Sequence, residues 1–273
     1  MSHGWLCLMY HDVASSGATL TGGPAYFTTP RASFADQLDR VQGAGFRGVS
    51  IAEALKARPA PVVGISFDDG DEGQFTHAFP EIVRRGMSAT FFVTTTWVGR
   101  PGYASWDQLR EMRAAGMSIQ SHTRSHPFLS ELSPDALEHE LTGSKRELDE
   151  ALDQDTDSLA LPGGDAPRDA WRARIAAAGY RVVATSRWGL NSPAEGPGPL
   201  EIRRCTVRGA PSAAEFDRLL RAESSLFMQR QAREFVLHAT RSALGPTRYA
   251  RWRHTALSTL GQLLAVGERK TTA

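Results

Sequence analysis

Val62-Val63-Gly64-Ile65-Ser66-Phe67-Asp68-Asp69-Gly70 is the stretch on which the fold turns. Its first six residues are apolar or small, the pattern of a strand buried on both faces. The run ends on two carboxylates and a glycine, a turn signal. Upstream, Leu6–Tyr10 reads as another buried strand, and Arg31–Ala44 as a helix with Phe34, Leu38 and Val41 at helical spacing. Downstream, helix and strand alternate. Ala78–Arg85, Trp106–Ala115, Pro134–Leu152 and Arg168–Ala178 read as helices, the third announced by a Ser133 cap before a first-turn proline. Ala89–Thr94, Met117–Ser121, Leu159–Leu161, Arg181–Thr185 and Ile202–Val207 read as strands. Such alternation over about 200 residues predicts a parallel sheet, open or closed into a barrel.

From Ser212 to Leu244 no Gly or Pro interrupts, so the tail reads as one or two helices. The expected organisation is a barrel over residues 1–210 and a helical extension over 211–273. The tail carries Arg218, Arg221, Arg230, Arg233, Arg241, Arg248, Arg251 and Arg253. One reading is a solvated face packed on the barrel. The other is a basic surface that touches a membrane or a glycosyltransferase partner.

The chain has 273 residues, 31 basic and 30 acidic, for a net charge of +1. That balance gives no electrostatic case for nucleic acid as partner. No apolar run reaches the length of a bilayer span. Of basic side chains only His3 precedes the first strand, without a secretory leader's features, so the expected location is cytoplasmic, with peripheral membrane contact open. Cys7 and Cys205 have no motif spacing and read as two reduced structural thiols.

Three chemical features fall where strands end. Asp68-Asp69 follows Val62–Phe67, His122 and His126 follow Met117–Ser121, and Tyr10-His11-Asp12 follows Leu6–Met9. In a parallel barrel, the carboxyl ends of the strands form the active face. His122 and His126 are four residues apart, so one turn aims both rings at one point. Two imidazoles and one carboxylate form a three-ligand set with open positions, as at a catalytic zinc. One aspartate of the pair ligates and the other is left to deprotonate water. The set suits cobalt and nickel as well.

Ser66-Phe67-Asp68-Asp69-Gly70 resembles the first motif of the polysaccharide deacetylases, the NodB-homology or carbohydrate esterase family 4 enzymes. Ser121-His122-Thr123-Arg124-Ser125-His126-Pro127 resembles their second motif, and Leu161-Pro162-Gly163-Gly164 a degraded third. The resemblance spans Leu6 to Val207. It implies a distorted (β/α)7 barrel, with Asp69, His122 and His126 as metal ligands and Asp68 as general base. It also implies a backbone donor to the oxyanion, which by position is Gly163. Leu8-Met9-Tyr10-His11-Asp12-Val13 resembles the subgroup acting on poly-N-acetylglucosamine, which implies His11 as general acid. His238, in Leu237-His238, is the alternative acid but falls inside the breaker-free tail.

Two departures stand out. The third-motif arginine that orients the base is Ala160 here, and the motif tyrosine is Gly163. Arg187 either supplies the guanidinium from a neighbouring strand end or is a surface arginine beside Trp188. The expected reaction is N-deacetylation of an acetamido sugar: glycan, lipid-linked, nucleotide-linked or within a natural product. Other amide or ester hydrolysis on the same scaffold, O-deacetylation or deformylation, is the second reading. A member that only binds glycan is the third.

Overall fold

The structure, a computed structural model, describes residues 4–15, 27–56, 61–166, 171–192 and 198–232, together with 245 and 248. In order the chain forms β1 (Leu6–Tyr10), β2 (Val13–Ala14), β3 (Thr29–Pro30), α1 (Arg31–Gly43), β4 (Arg47–Val49), α2 (Ile51–Lys56), β5 (Val62–Phe67), α3 (Phe79–Arg84), β6 (Thr90–Val93), α4 (Trp106–Ala114), β7 (Ser118–Ser121), α5 (Pro134–Leu152), β8 (Ser158–Ala160), α6 (Trp171–Ala177), β9 (Val182–Thr185), β10 (Leu200–Arg203), β11 (Cys205–Thr206) and α7 (Ala213–Leu220).

The strands run in the order β10-β9-β8-β7-β6-β5-β1-β11. Arg204 alone separates β10 from β11, so the last strand closes the sheet on itself. Its first half pairs in parallel with β9 and its second half with β1. With β10 and β11 counted as one, seven strands among the described residues ring the barrel, which is the distorted (β/α)7 architecture. The distortion is visible at β5. Its start pairs with β4, Arg47 opposite Val62, and its end pairs with β6, Ser66 opposite Thr90. Three residues of strand in β4 and six of helix in α2 are too short to show a period, and neither is legible in the sequence.

Side-chain alternation divides the core into two layers. Leu6, Leu8, Tyr10, Ile65, Phe67, Phe91 and Ile119 pack with Phe34 and Leu38 of α1 and Leu109 and Met112 of α4. Cys7, Phe92, Ala160, Ala184 and Ile202 form a separate cluster. They come from strands that are mostly not neighbours in the sheet, so they meet across the barrel interior. Cys7 faces inward and Cys205 belongs to the outer layer, and no disulfide joins them.

Helix α5 begins as its sequence predicts, with the Ser133 hydroxyl accepting from Ala136 N. Helix α4 carries a full capping box of Ser105 and Gln108. The chain divides into two compact units, Met1–Gln229 and Arg230–Ala273. Helix α7 belongs to the first, burying Phe216, Leu219 and Leu220 in the outer core layer, with Asp217 paired to Arg40 of α1. The tail, expected as one or two helices, breaks at Ala222, whose φ of +50° ends the first helical run without glycine or proline. Arg218 and Arg221 both pair with Glu223. His238, Arg233, Arg241, Arg251 and Arg253 lie outside the described residues. Among the described residues, no helix is long and apolar enough to cross a membrane.

Candidate active site

Parallel pairing brings the ends of β1, β5 and β7 to one face of the barrel. The Asp68 amide donates to Tyr10 O at 3.1 Å, tying the end of β5 to that of β1. Gln74 reinforces this junction. Its side-chain amide donates to His11 O at 3.1 Å and to Asp68 O at 2.5 Å. Gln74 opens a five-residue π-helical turn, Gln74–Ala78, a distortion frequent beside functional sites.

Asp69 adopts a left-handed backbone with φ of +79°, and Gly70 follows at +88°. A non-glycine residue in this region carries strain, which gathers at sites. The turn aims the Asp69 carboxylate at both histidines. His122 Nε2 and His126 Nε2 each stand 3.4 Å from the same oxygen, Oδ1. That oxygen is buried and makes no hydrogen bond. One ligand atom from each residue lies within 4.8 Å of the others. His122 Nδ1 donates to Ala160 O at 3.0 Å, which leaves the Nε2 lone pair pointing at Asp69. His126 stacks on Trp97, with ring centroids 5.1 Å apart.

An orphaned carboxylate oxygen facing two imidazole nitrogens fits a divalent metal, held by Asp69, His122 and His126 with positions left open. Electrostatics agree with that use. Burial opposes the Asp69 charge, but the adjacent His122 ring and the charges of His11, His122 and His126 hold its carboxyl well below the usual range. Burial, then the His122 charge, pushes His126 down to about 4, so its ring is neutral at neutral pH. Burial opposes charging His122 too, yet Asp68 and Asp69 raise it overall.

Asp68, beside this cluster, is gripped by a residue that sequence reasoning missed. Arg204 is fully buried, with Nη1 2.5 Å from Asp68 Oδ1 and Nη2 2.8 Å from Oδ2. Its Nε donates to Thr185 O at 3.1 Å, and its guanidinium lies 5.2 Å from the Phe92 ring centroid. Burial works against the Asp68 charge, but Arg204, together with His122 and His11, keeps the carboxyl below its ordinary value. Arg187, expected as one source of that guanidinium, is exposed and pairs with Glu201 at 3.2 Å. Strand alternation explains the correction. Ile202 points into the barrel, so Arg204, two residues on, points inward too.

His11 follows β1 and stacks on Phe27, with ring centroids 4.2 Å apart. Its Nδ1 is buried without a hydrogen-bond partner. Burial lowers its pKa, against the pull of Asp69 and Asp68. Gly163 lies in the turn after β8 with φ of +58°, and Gly164 follows at +66°. A Cβ at Gly163 would stand 3.1 Å from Phe128 Cε1.

A family model described as polysaccharide deacetylase matches residues 56–183. The Streptococcus pyogenes deacetylase PplD, solved in complex with acetate, superposes with a TM-score of 0.68 at 28% identity, over 76% of this chain and 94% of that one. IcaB from Ammonifex degensii superposes with a TM-score of 0.67 at 27% identity, over 80% of this chain and 95% of that one. Residues 56–183 match the polysaccharide deacetylase family, and the fold around them is that of its solved deacetylases.

YxkH of Bacillus subtilis, a protein assigned to the polysaccharide deacetylases, is 29% identical over 195 residues, 69% of this chain and 67% of that protein. The matched residues 56–183 hold Asp68, Asp69, His122, His126 and Gly163. Arg204, which grips Asp68, and His11 lie outside that span. The guanidinium that holds Asp68 is thus carried by the closing strand, and Ala160 contributes its carbonyl to His122 instead.

Proposed function

We propose that this deacetylase removes the N-acetyl group from an acetamido sugar, releasing acetate and a free amine. One observation carries the reading: a buried carboxylate locked to a buried arginine stands beside two imidazoles and a second carboxylate converging on one point. Held by Asp69, His122 and His126, a divalent metal, zinc before cobalt or nickel, supplies polarisation of a carbonyl and acidification of water. Asp68, ionised and fixed through both oxygens, accepts the proton as the water oxygen bonds to the acetyl carbon. The Gly163 N–H is the backbone donor toward the carbonyl oxygen as charge develops there. His11 hands a proton to the sugar nitrogen as the C–N bond breaks, so the amine leaves neutral. Acetate, the molecule held in the PplD structure, is the product this reaction releases. The Arg204–Asp68 pair favours catalysis over glycan binding alone, because a binding cleft has no use for an oriented buried base.

The test is acetate release from N-acetylated sugars in oligomeric, lipid-linked and nucleotide-linked form, with Zn²⁺ added. Release by wild type and its loss in Asp68→Asn supports the reading. Stoichiometric metal without release from any substrate sinks it. Release of acetate from O-acetyl substrates alone assigns the site to ester hydrolysis.

A further inference from the structure

The loop His122-Thr123-Arg124-Ser125-His126 contains two left-handed residues and no glycine, Thr123 at φ of +67° and His126 at +61°. Side chains disfavour that region, so the conformation persists only where surroundings impose it. Within the loop, Thr123 Oγ1 accepts from His126 N at 3.1 Å, and Ser121 Oγ accepts from Thr123 N at 3.1 Å. The amides of Thr95 and Thr96 hold the carbonyls of Thr123 and Arg124.

The remaining restraint comes from one stripe of α5, at positions 140, 143, 144 and 147, spaced by helical turns. Glu140, 8% exposed, accepts from Arg124 N at 2.9 Å, Ser125 N at 2.8 Å and Ser125 Oγ at 2.5 Å. Gly143 leaves room for the Arg124 stem, since a Cβ there would stand 3.0 Å from Arg124 Cδ. The Ser144 hydroxyl accepts from Ser121 Oγ at 2.9 Å. Glu147 accepts from Arg124 Nε at 2.7 Å and from the Thr95 hydroxyl. Of these groups, Glu140 alone binds consecutive backbone amides between the two histidines.

We propose that Glu140 is a positioning residue for the metal centre. Its carboxylate fixes the loop turn that brings His126 Nε2 onto Asp69, and so governs the affinity of the site for a divalent ion. The inference rests on the reading of Asp69, His122 and His126 as metal ligands. Glu140 touches none of the three. Its effect falls on His126, because the His122 ring is held separately by Ala160 O.

The experiment titrates the full chain with Zn²⁺ against a chromophoric chelator, for wild type, Glu140→Gln and Ser125→Ala, and records the Tm of each metal-free protein. Loss of a residue that orients a ligand weakens metal binding about 10- to 100-fold, the change expected for Glu140→Gln. Ser125 is exposed, so Ser125→Ala folds normally and decides the matter should Glu140→Gln not fold. It removes the shortest of the three bonds, and an affinity loss of at least about threefold is expected from one hydrogen bond to a charged group. Zn²⁺ affinities of both variants within twofold of wild type overturn the proposal, whatever happens to Tm. Absence of Zn²⁺ binding by wild type overturns the metal-site reading and this proposal together.

Discussion

Arg204 Nη1 and Nη2 meet Asp68 Oδ1 and Oδ2 at 2.5 and 2.8 Å, a two-pronged ion pair formed inside the barrel by residues 136 positions apart. Such a pair fixes the carboxylate plane and keeps it ionised. Arg204→Met leaves a buried carboxylate with no counter-charge. Removing one partner of a buried pair costs about 3–5 kcal/mol, so a fall of several degrees or more in Tm is expected. The rate falls as well, by about 100-fold or more, and Arg204→Lys restores only part of it because a lysine cannot make both bonds. The pH profile separates the effects. Arg204 lowers the Asp68 pKa, so its removal raises that pKa and moves the acid limb of kcat/KM to higher pH. An acid limb that stays in place while Tm falls would give Arg204 a purely structural role.

The three candidate ligands predict a chelation experiment. Treatment with a strong chelator abolishes acetate release, and Zn²⁺ restores it. His122→Ala and Asp69→Asn each bind Zn²⁺ more than about 100-fold more weakly, since each removes one of three donors. Equilibrium dialysis with elemental analysis checks both. Full activity after exhaustive chelation, with no metal retained, contradicts the ligand set.

The strands Leu6–Tyr10 and Val62–Phe67 and the helix Pro134–Leu152 were legible to the residue. Their signals are local: apolar runs closed by polar turns, and a Ser-Pro start. The convergence of Asp68-Asp69 with His122 and His126 was legible from strand ends alone, because a parallel barrel places all such ends on one face. Arg204 was not, since its partner is remote in sequence and Arg187 lay nearer the degraded third motif. What decided between the two is the pleat of the last strand, which turns residue 204 inward with Ile202. The clamp by Glu140 was invisible for a related reason. A glutamate on a long amphipathic helix reads as solvated until the loop it faces is known.

Gly163 tests the third-motif turn. Its φ of +58° is costly for any other residue, and a Cβ there would crowd the Phe128 ring at 3.1 Å. Gly163→Ala is expected to cost about 1–2 kcal/mol of stability. If its N–H faces the developing oxyanion, kcat falls about 100-fold with KM little changed, the size of effect seen when one such donor is lost or displaced. A stable variant with wild-type kcat would move the donor elsewhere.

Glu81 gives a pH prediction away from the site. Its carboxylate accepts from Arg85, Arg84 and Arg31, and these bonds, the Arg85 one foremost, hold its pKa at about 2 against an ordinary 4.5. A folded pKa below the unfolded one means that the stabilisation is fully present above pH 4.5 and is lost as pH falls toward 2. The Arg85 side chain is only 3% exposed, so the pair is shielded and not a surface ornament. Glu81→Gln is expected to lower stability by about 1–2 kcal/mol at pH 7, allowing for Asp39 as the remaining partner of Arg85. The variant's deficit shrinks as both proteins are acidified, because wild type loses the same interaction by protonation. Urea denaturation at pH 7 and at pH 3 measures it, and an equal deficit at both values would show that Glu81 acts through packing and not through its charge.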